Sequence, residues 1–143
     1  MDKYDEILEK LNFLIKEIED LTKFDNLSAD NARKTRILRK KMENYIVLLI
    51  NANEGIEKYK KWFISNDISL KWNVALNLFP LYPEKCLKIL SECKNKTSDE
   101  LVKTSMNDVI REYNKGLNDN NVFIVRLKKI YSTNDLTHLN REE

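Results

Sequence analysis

The stretch NDISLKWNVALNLFPLYPEKCLKILSEC, residues 66–93, decides the fold class. Its apolar residues recur at intervals of three and four. Leu70, Val74, Ala75 and Leu78 form one helical stripe; Cys86, Leu87, Ile89, Leu90 and Cys93 form another. Between the two stand Pro80 and Pro83, the only prolines in 143 residues. A residue that precedes proline is pushed out of the helical region, so a helix over 68–79 stops before Pro80. Pro83 suits the first turn of a helix over 83–94, where its missing N–H costs nothing. Glycine is equally scarce, with only Gly55 and Gly116. Sandwiches, barrels and doubly wound folds need a turn-former about every 8–12 residues or a glycine-rich loop. Four such residues cannot supply those turns, and the chain reads as all-α.

Working outward, residues 1–27 hold a long acidic amphipathic first helix, over 3–24, with Tyr4, Ile7, Leu8, Leu11, Leu14, Ile15, Ile18 and Leu21 on one stripe and Asp2 as its cap. Ser28 or Asp30 can cap a second helix over 29–51, whose stripe is Leu38, Met42, Tyr45 and Leu49. Ile37, Ile46, Leu48 and Ile50 flank that stripe, so its second half is expected to be buried from more than one direction. A short helix spans 54–64, with Ile56, Tyr59, Trp62 and Phe63 inward. Thr97 and Glu100 give a capping-box signal for a helix over 98–115, which Gly116 ends. The reading is a single helical domain, 1–116, with a partly ordered C-terminal extension, 117–143, that admits a helix, a docked strand or a loose arm.

Composition bounds the function. At this length about 68% of the unfolded chain's surface can be buried, so a core needs no staple. Cys86 and Cys93 lie two helical turns apart, about 10 Å, too far for a disulfide. Buried free thiols and a reducing cytoplasm are expected. The charged start, MDKYDE, predicts no signal peptide, and no apolar run is long enough to span a membrane. Net charge is +2 but unevenly spread: −5 over residues 1–30, +6 over 31–61 and +1 over 62–143.

From residue 53 onward the helices come as short antiparallel pairs. The segment Asn66 to Leu76 resembles the second-helix signature of HEAT-type repeats: a polar turn, an aliphatic followed by a base (Leu70, Lys71), then two small apolar positions (Val74, Ala75). The continuation from Leu81 to Leu90, with Pro83 and Cys86, is similar to small HEAT-like bacterial proteins of the DUF2019 type. The resemblance covers about residues 28–116, with Lys71 standing for the usual Arg and Cys86 for a small apolar residue. It implies a HEAT-like α-solenoid, a right-handed stack of about six to seven antiparallel helices. It also implies a scaffold in place of a catalyst. Small HEAT-like proteins recur among cytoplasmic immunity proteins, which neutralise bacterial toxins by binding them.

The residues themselves point the same way. There is no phosphate loop and no paired histidine, and the sole histidine, His138, lies in the polar tail. No catalytic, cofactor-binding or metal-binding residue is therefore predicted, and no cofactor. The basic run Arg33, Lys34, Arg36, Arg39, Lys40 and Lys41 has no acid between Asp30 and Glu43. It can pair internally with Glu9, Glu17, Glu19 and Asp20 of the first helix, meet a protein partner, or contact nucleic-acid phosphates. Trp72 falls off the Leu70–Val74 stripe beside Lys71 and Asn73, an anchor-like composition for a protein interface. The predicted partner-binding residues are Lys71, Trp72 and Asn73, with Lys34, Arg36 and Lys40 as a flanking patch. The expected function is a cytoplasmic immunity or antitoxin protein that binds a cognate toxin domain. The alternatives are a HEAT-like nucleic-acid binder using residues 33–41 and a regulatory scaffold. Oligomeric state stays open.

Overall fold

In the computed structural model, which describes residues 2–115 and 129–131, every regular element is helical. Six α-helices follow in order: α1 (Lys3–Leu21), α2 (Ala29–Ile50), α3 (Asn53–Lys60), α4 (Ile68–Asn77), α5 (Pro83–Lys96) and α6 (Glu100–Asn114). Short 3-10 turns occupy Phe24–Asn26 and Lys61–Ile64. No strand occurs among the described residues, as the scarcity of turn-formers predicts. Residues 129–131 are also helical. The expected cap at Gly116, His138 and the rest of the 117–143 extension lie outside the described residues. Packing divides the chain into two compact units with the boundary between Tyr59 and Lys60.

In the first unit, side-chain caps set the helix limits. Asp2 accepts hydrogen bonds from the N–H groups of Tyr4 (2.9 Å) and Asp5 (3.0 Å) and starts α1. The helix ends at Leu21, three residues short of the expected limit. Thr22 Oγ1 donates back to the carbonyl of Ile18 (2.8 Å), and Asn26 Nδ2 donates to that of Asp20 (2.7 Å). The Asn26 bond satisfies a carbonyl that a longer helix would have paired internally, while the Thr22 hydroxyl shares the Ile18 carbonyl with Thr22's own N–H (2.9 Å). Ser28, not Asp30, caps α2, accepting from Asn31 N–H at 3.0 Å. Helix α1 packs along α2. Lys58, on the short helix α3 that meets the end of α2 at Gly55, pairs with Asp2 and with Asp5 (3.1 Å) at the start of α1. The C-terminal end of α2 therefore lies beside the N-terminal end of α1, which makes the pair antiparallel. Ile7, Leu11, Leu14, Ile15 and Ile18 of α1 and Met42, Ile46, Leu49 and Ile50 of α2 are buried. Each such side chain contributes about 1.5–3 kcal/mol when taken from water. Gly55 lets α3 approach the end of α2: a Cβ there would sit 2.5 Å from the carbonyl oxygen of Leu49.

The second unit is built by sequential packing. The second 3-10 turn lies on α4, α4 on α5 and α5 on α6. The expected single helix over 54–64 is α3 followed by that 3-10 turn, which buries Phe63. Helix α4 stops at Asn77, two residues earlier than expected. The N–H of Leu78 bonds the carbonyl of Val74 (2.9 Å), and the chain turns through Phe79 and Pro80 before Pro83 opens α5. Phe79 meets Tyr113 of α6 edge-to-face at 5.4 Å, and the Tyr113 hydroxyl donates to Glu84 Oε1 (2.7 Å). The expected capping box at Thr97 does not form. Thr97 ends α5, and Asp99 accepts from the N–H of Val102 (3.3 Å) at the start of α6. Tyr131 is buried and its hydroxyl donates to the carbonyl of Asn77, which fixes residues 129–131 on the end of α4.

Candidate functional site

The two sets of predicted site residues lie in different units and differ in environment. Lys34, Arg36 and Lys40 are on α2. Successive offsets of three and four place Arg33, Ile37, Lys40, Lys41, Asn44 and Leu48 on one side of that helix. All six are exposed. Asp30, in the first turn, holds Arg33 at 2.6 Å and Lys34 at 3.3 Å. Its carboxyl is kept below the usual carboxylate range, first by the Arg33 hydrogen bond and then by Lys34. These are solvent-facing pairs, worth little and easily exchanged for a partner's carboxylate. Arg36, Lys40 and Lys41 make no ion pair among the described residues. The internal pairing partner for Arg33 and Lys34 is thus α2's own Asp30.

The second half of α2 departs from expectation. Leu48 is 50% exposed and Ile37 56%, so this side is open where burial from several directions was predicted. Phe13 on α1 (69%) and Leu27 in the link (57%) are open as well. Four of the five exposed large apolar side chains among the described residues therefore belong to the α1–α2 hairpin and its link. Ile37 and Leu48 share the side of α2 that carries Lys40 and Lys41, which make no ion pair among the described residues. Sequence reasoning assigned Ile37 and Leu48 to flanks of the core. Their spacing of eleven, with Lys41 and Asn44 between, was the available sign that they share the basic side.

Helix α4 gives the opposite result for part of its predicted triplet. Asn73 is buried at 8% exposure, and its Nδ2 donates to the carbonyl of Ser69 (2.7 Å). It is a structural side chain, not an exposed contact, because a ten-residue helix packed against both the 3-10 turn and α5 has little open perimeter. Trp72 and Lys71 are half-buried. Lys71 Nζ reaches Glu92 on α5 at 3.3 Å. Beside that pair a groove of about 190 Å³ opens between Ile64, Asn66, Ile68, Cys93 and Lys96. Burial pushes the Cys93 thiol up, partly offset by Lys71, which makes it a poor nucleophile. Cys86 and Cys93 are both buried free thiols, as their spacing predicts.

Among the described residues no three His, Cys, Asp or Glu side chains are grouped to hold a metal ion. No described helix is long and apolar enough to cross a membrane. No family model, curated protein or solved structure matches the chain.

Proposed function

We propose that this chain is a non-catalytic protein-binding module, a cytoplasmic immunity or antitoxin protein that neutralises a toxin domain by direct binding. Its helices are read as a HEAT-like stack, a view supported by the nearest-neighbour packing of α4, α5 and α6. The observation that carries the binding reading is the open side of α2. Unpaired Lys40 and Lys41 stand between Ile37 and Leu48, both at least half exposed, and unpaired Arg36 precedes them. Charges left without internal partners favour an acidic surface, and the aliphatics favour one that excludes water. Lys34, Arg36 and Lys40 keep their proposed role. Trp72 and Lys71, half-buried on α4, are secondary.

The test is capture from a lysate of the source cells with the full chain as bait, at about physiological salt, where weak charge-only contacts are screened. One protein should return in near-stoichiometric yield. Lys34→Glu, Arg36→Glu and Lys40→Glu combined should abolish it. A wild-type bait that returns no protein overturns the reading. The basic run also supports a second reading, nucleic-acid binding. That reading requires retention on duplex DNA that falls steeply with salt, because phosphate contacts release counterions.

A further inference from the structure

We infer that the element of the partner that seats on α2 is an acidic amphipathic helix bearing two apolar residues about three turns apart. This rests on the protein-binding reading above. Ile37 and Leu48 are eleven residues apart, which spans about 16 Å at 1.5 Å per residue. They stand at the two ends of the open side, with Lys40, Lys41 and Asn44 between them and Arg33 and Arg36 before them. An occupant must bring apolar groups to both ends and negative charge to the middle.

Backbone chemistry selects a helix. The interior of α2 pairs its N–H and C=O groups within itself, so this side presents no edge for a strand to join. An extended peptide laid on it would bury its own polar backbone without partners. A helix satisfies its backbone internally and offers side chains at the same three-and-four spacing. Charge then selects the helix. A second α2 would set Arg36, Lys40 and Lys41 against their own kind, and like charges close together are repulsive. An acidic helix relieves all three. Ile37 and Leu48 set the spacing of its apolar residues, which phosphate-backbone recognition does not require.

Fluorescence anisotropy with the full chain at about 0.15 M salt tests this. The probe is a labelled synthetic helical peptide with two Leu eleven residues apart and Glu on the same side between them. Two further peptides replace both Leu by Ser, or every Glu by Gln. The Leu/Glu peptide should bind at least about tenfold more tightly than either control. Ile37→Asp and Lys40→Glu should each weaken it by a similar factor. Both positions are exposed, and circular dichroism should show unchanged helix content. Equal binding of the Leu and Ser peptides overturns the inference, as does tighter binding of a duplex DNA of similar length. A wild-type dimer in light scattering that Ile37→Asp converts to monomer also overturns it, since a second copy would then occupy the surface. Lysate capture separates the two levels. Capture undiminished by Ile37→Asp and Lys40→Glu removes this surface and leaves the binding function standing. Absence of any captured protein removes both.

Discussion

Helices α2 and α4 were both marked as binding elements by their sequences, and they behave differently. Helix α2 has 22 residues and packs one side, leaving a basic side open. Helix α4 has 10 residues and buries Asn73, Val74, Ala75 and Asn77 around much of its perimeter. The difference lies in what each side chain can tolerate. Lys and Arg resist burial unless paired, so a run of six bases fixes an exposed side almost by itself. Asn accepts burial when a carbonyl is within reach, and Ser69 supplies one to Asn73. A charge run therefore predicts exposure, whereas an Asn beside a Trp does not.

The largest expected effect is on the packed element. Leu78, which ends α4, is fully buried. Leu78→Ala should cost about 2–5 kcal/mol in urea unfolding. A cost below about 1 kcal/mol would mean that α4 is not the tightly packed partner in this contrast. Next comes Gly55→Ala, where the new Cβ would meet the Leu49 carbonyl at 2.5 Å at the end of α2. Relieving that overlap should cost about 1–3 kcal/mol, read as a lowered melting temperature. Asn73→Ala removes one buried hydrogen bond and should cost about 1 kcal/mol. A neutral result would return Asn73 to the surface role first expected of it.

A subtler effect concerns acid. Lys58, with the N–H groups of Asp5 and Tyr4, holds the Asp2 carboxyl down to about 2. A depressed carboxylate stabilises the fold fully above its ordinary value near 3.8, and the contribution fades as pH falls towards about 2. Denaturant titrations should show this acid-side loss in the wild type and a smaller one in Lys58→Met. Lys58 is shifted upward by Asp2 and Asp5, so its contribution is fully present below its ordinary value of 10.5 and is lost only as pH rises beyond it; the pair therefore contributes no slope near neutrality. The smallest effect closes the contrast. Leu48→Ala repeats the Leu78 substitution on the open side of α2 and should change stability by no more than about 0.5 kcal/mol.

Much of the fold was legible because its determinants are local. Pro80 and Pro83 placed the α4–α5 link, Ser28 or Asp30 the start of α2, and the apolar stripe of α1 its buried side. The misplaced limits share one cause. Thr22 and Asp99 close or open helices through individual side-chain hydrogen bonds, and the Phe79 N–H turns back to the Leu76 carbonyl (3.3 Å) at the end of α4, none of which periodicity registers. The site was half legible. Lys34, Arg36 and Lys40 are exposed where the charge run put them. The exposure of Ile37 and Leu48 depends on which neighbours α2 has, and that is a property of the tertiary arrangement. The burial of Asn73 depends on the same thing.

Under the proposal, α2 carries most of the partner binding and α4 is secondary. The most direct measurement compares partner capture by two single variants of the full chain, Lys40→Glu and Trp72→Ala, each shown by circular dichroism to be folded at the assay temperature. Capture should fall at least about tenfold for Lys40→Glu, equivalent to 1.4 kcal/mol, and stay close to wild type for Trp72→Ala. Loss with Trp72→Ala alongside full capture by Lys40→Glu would contradict it.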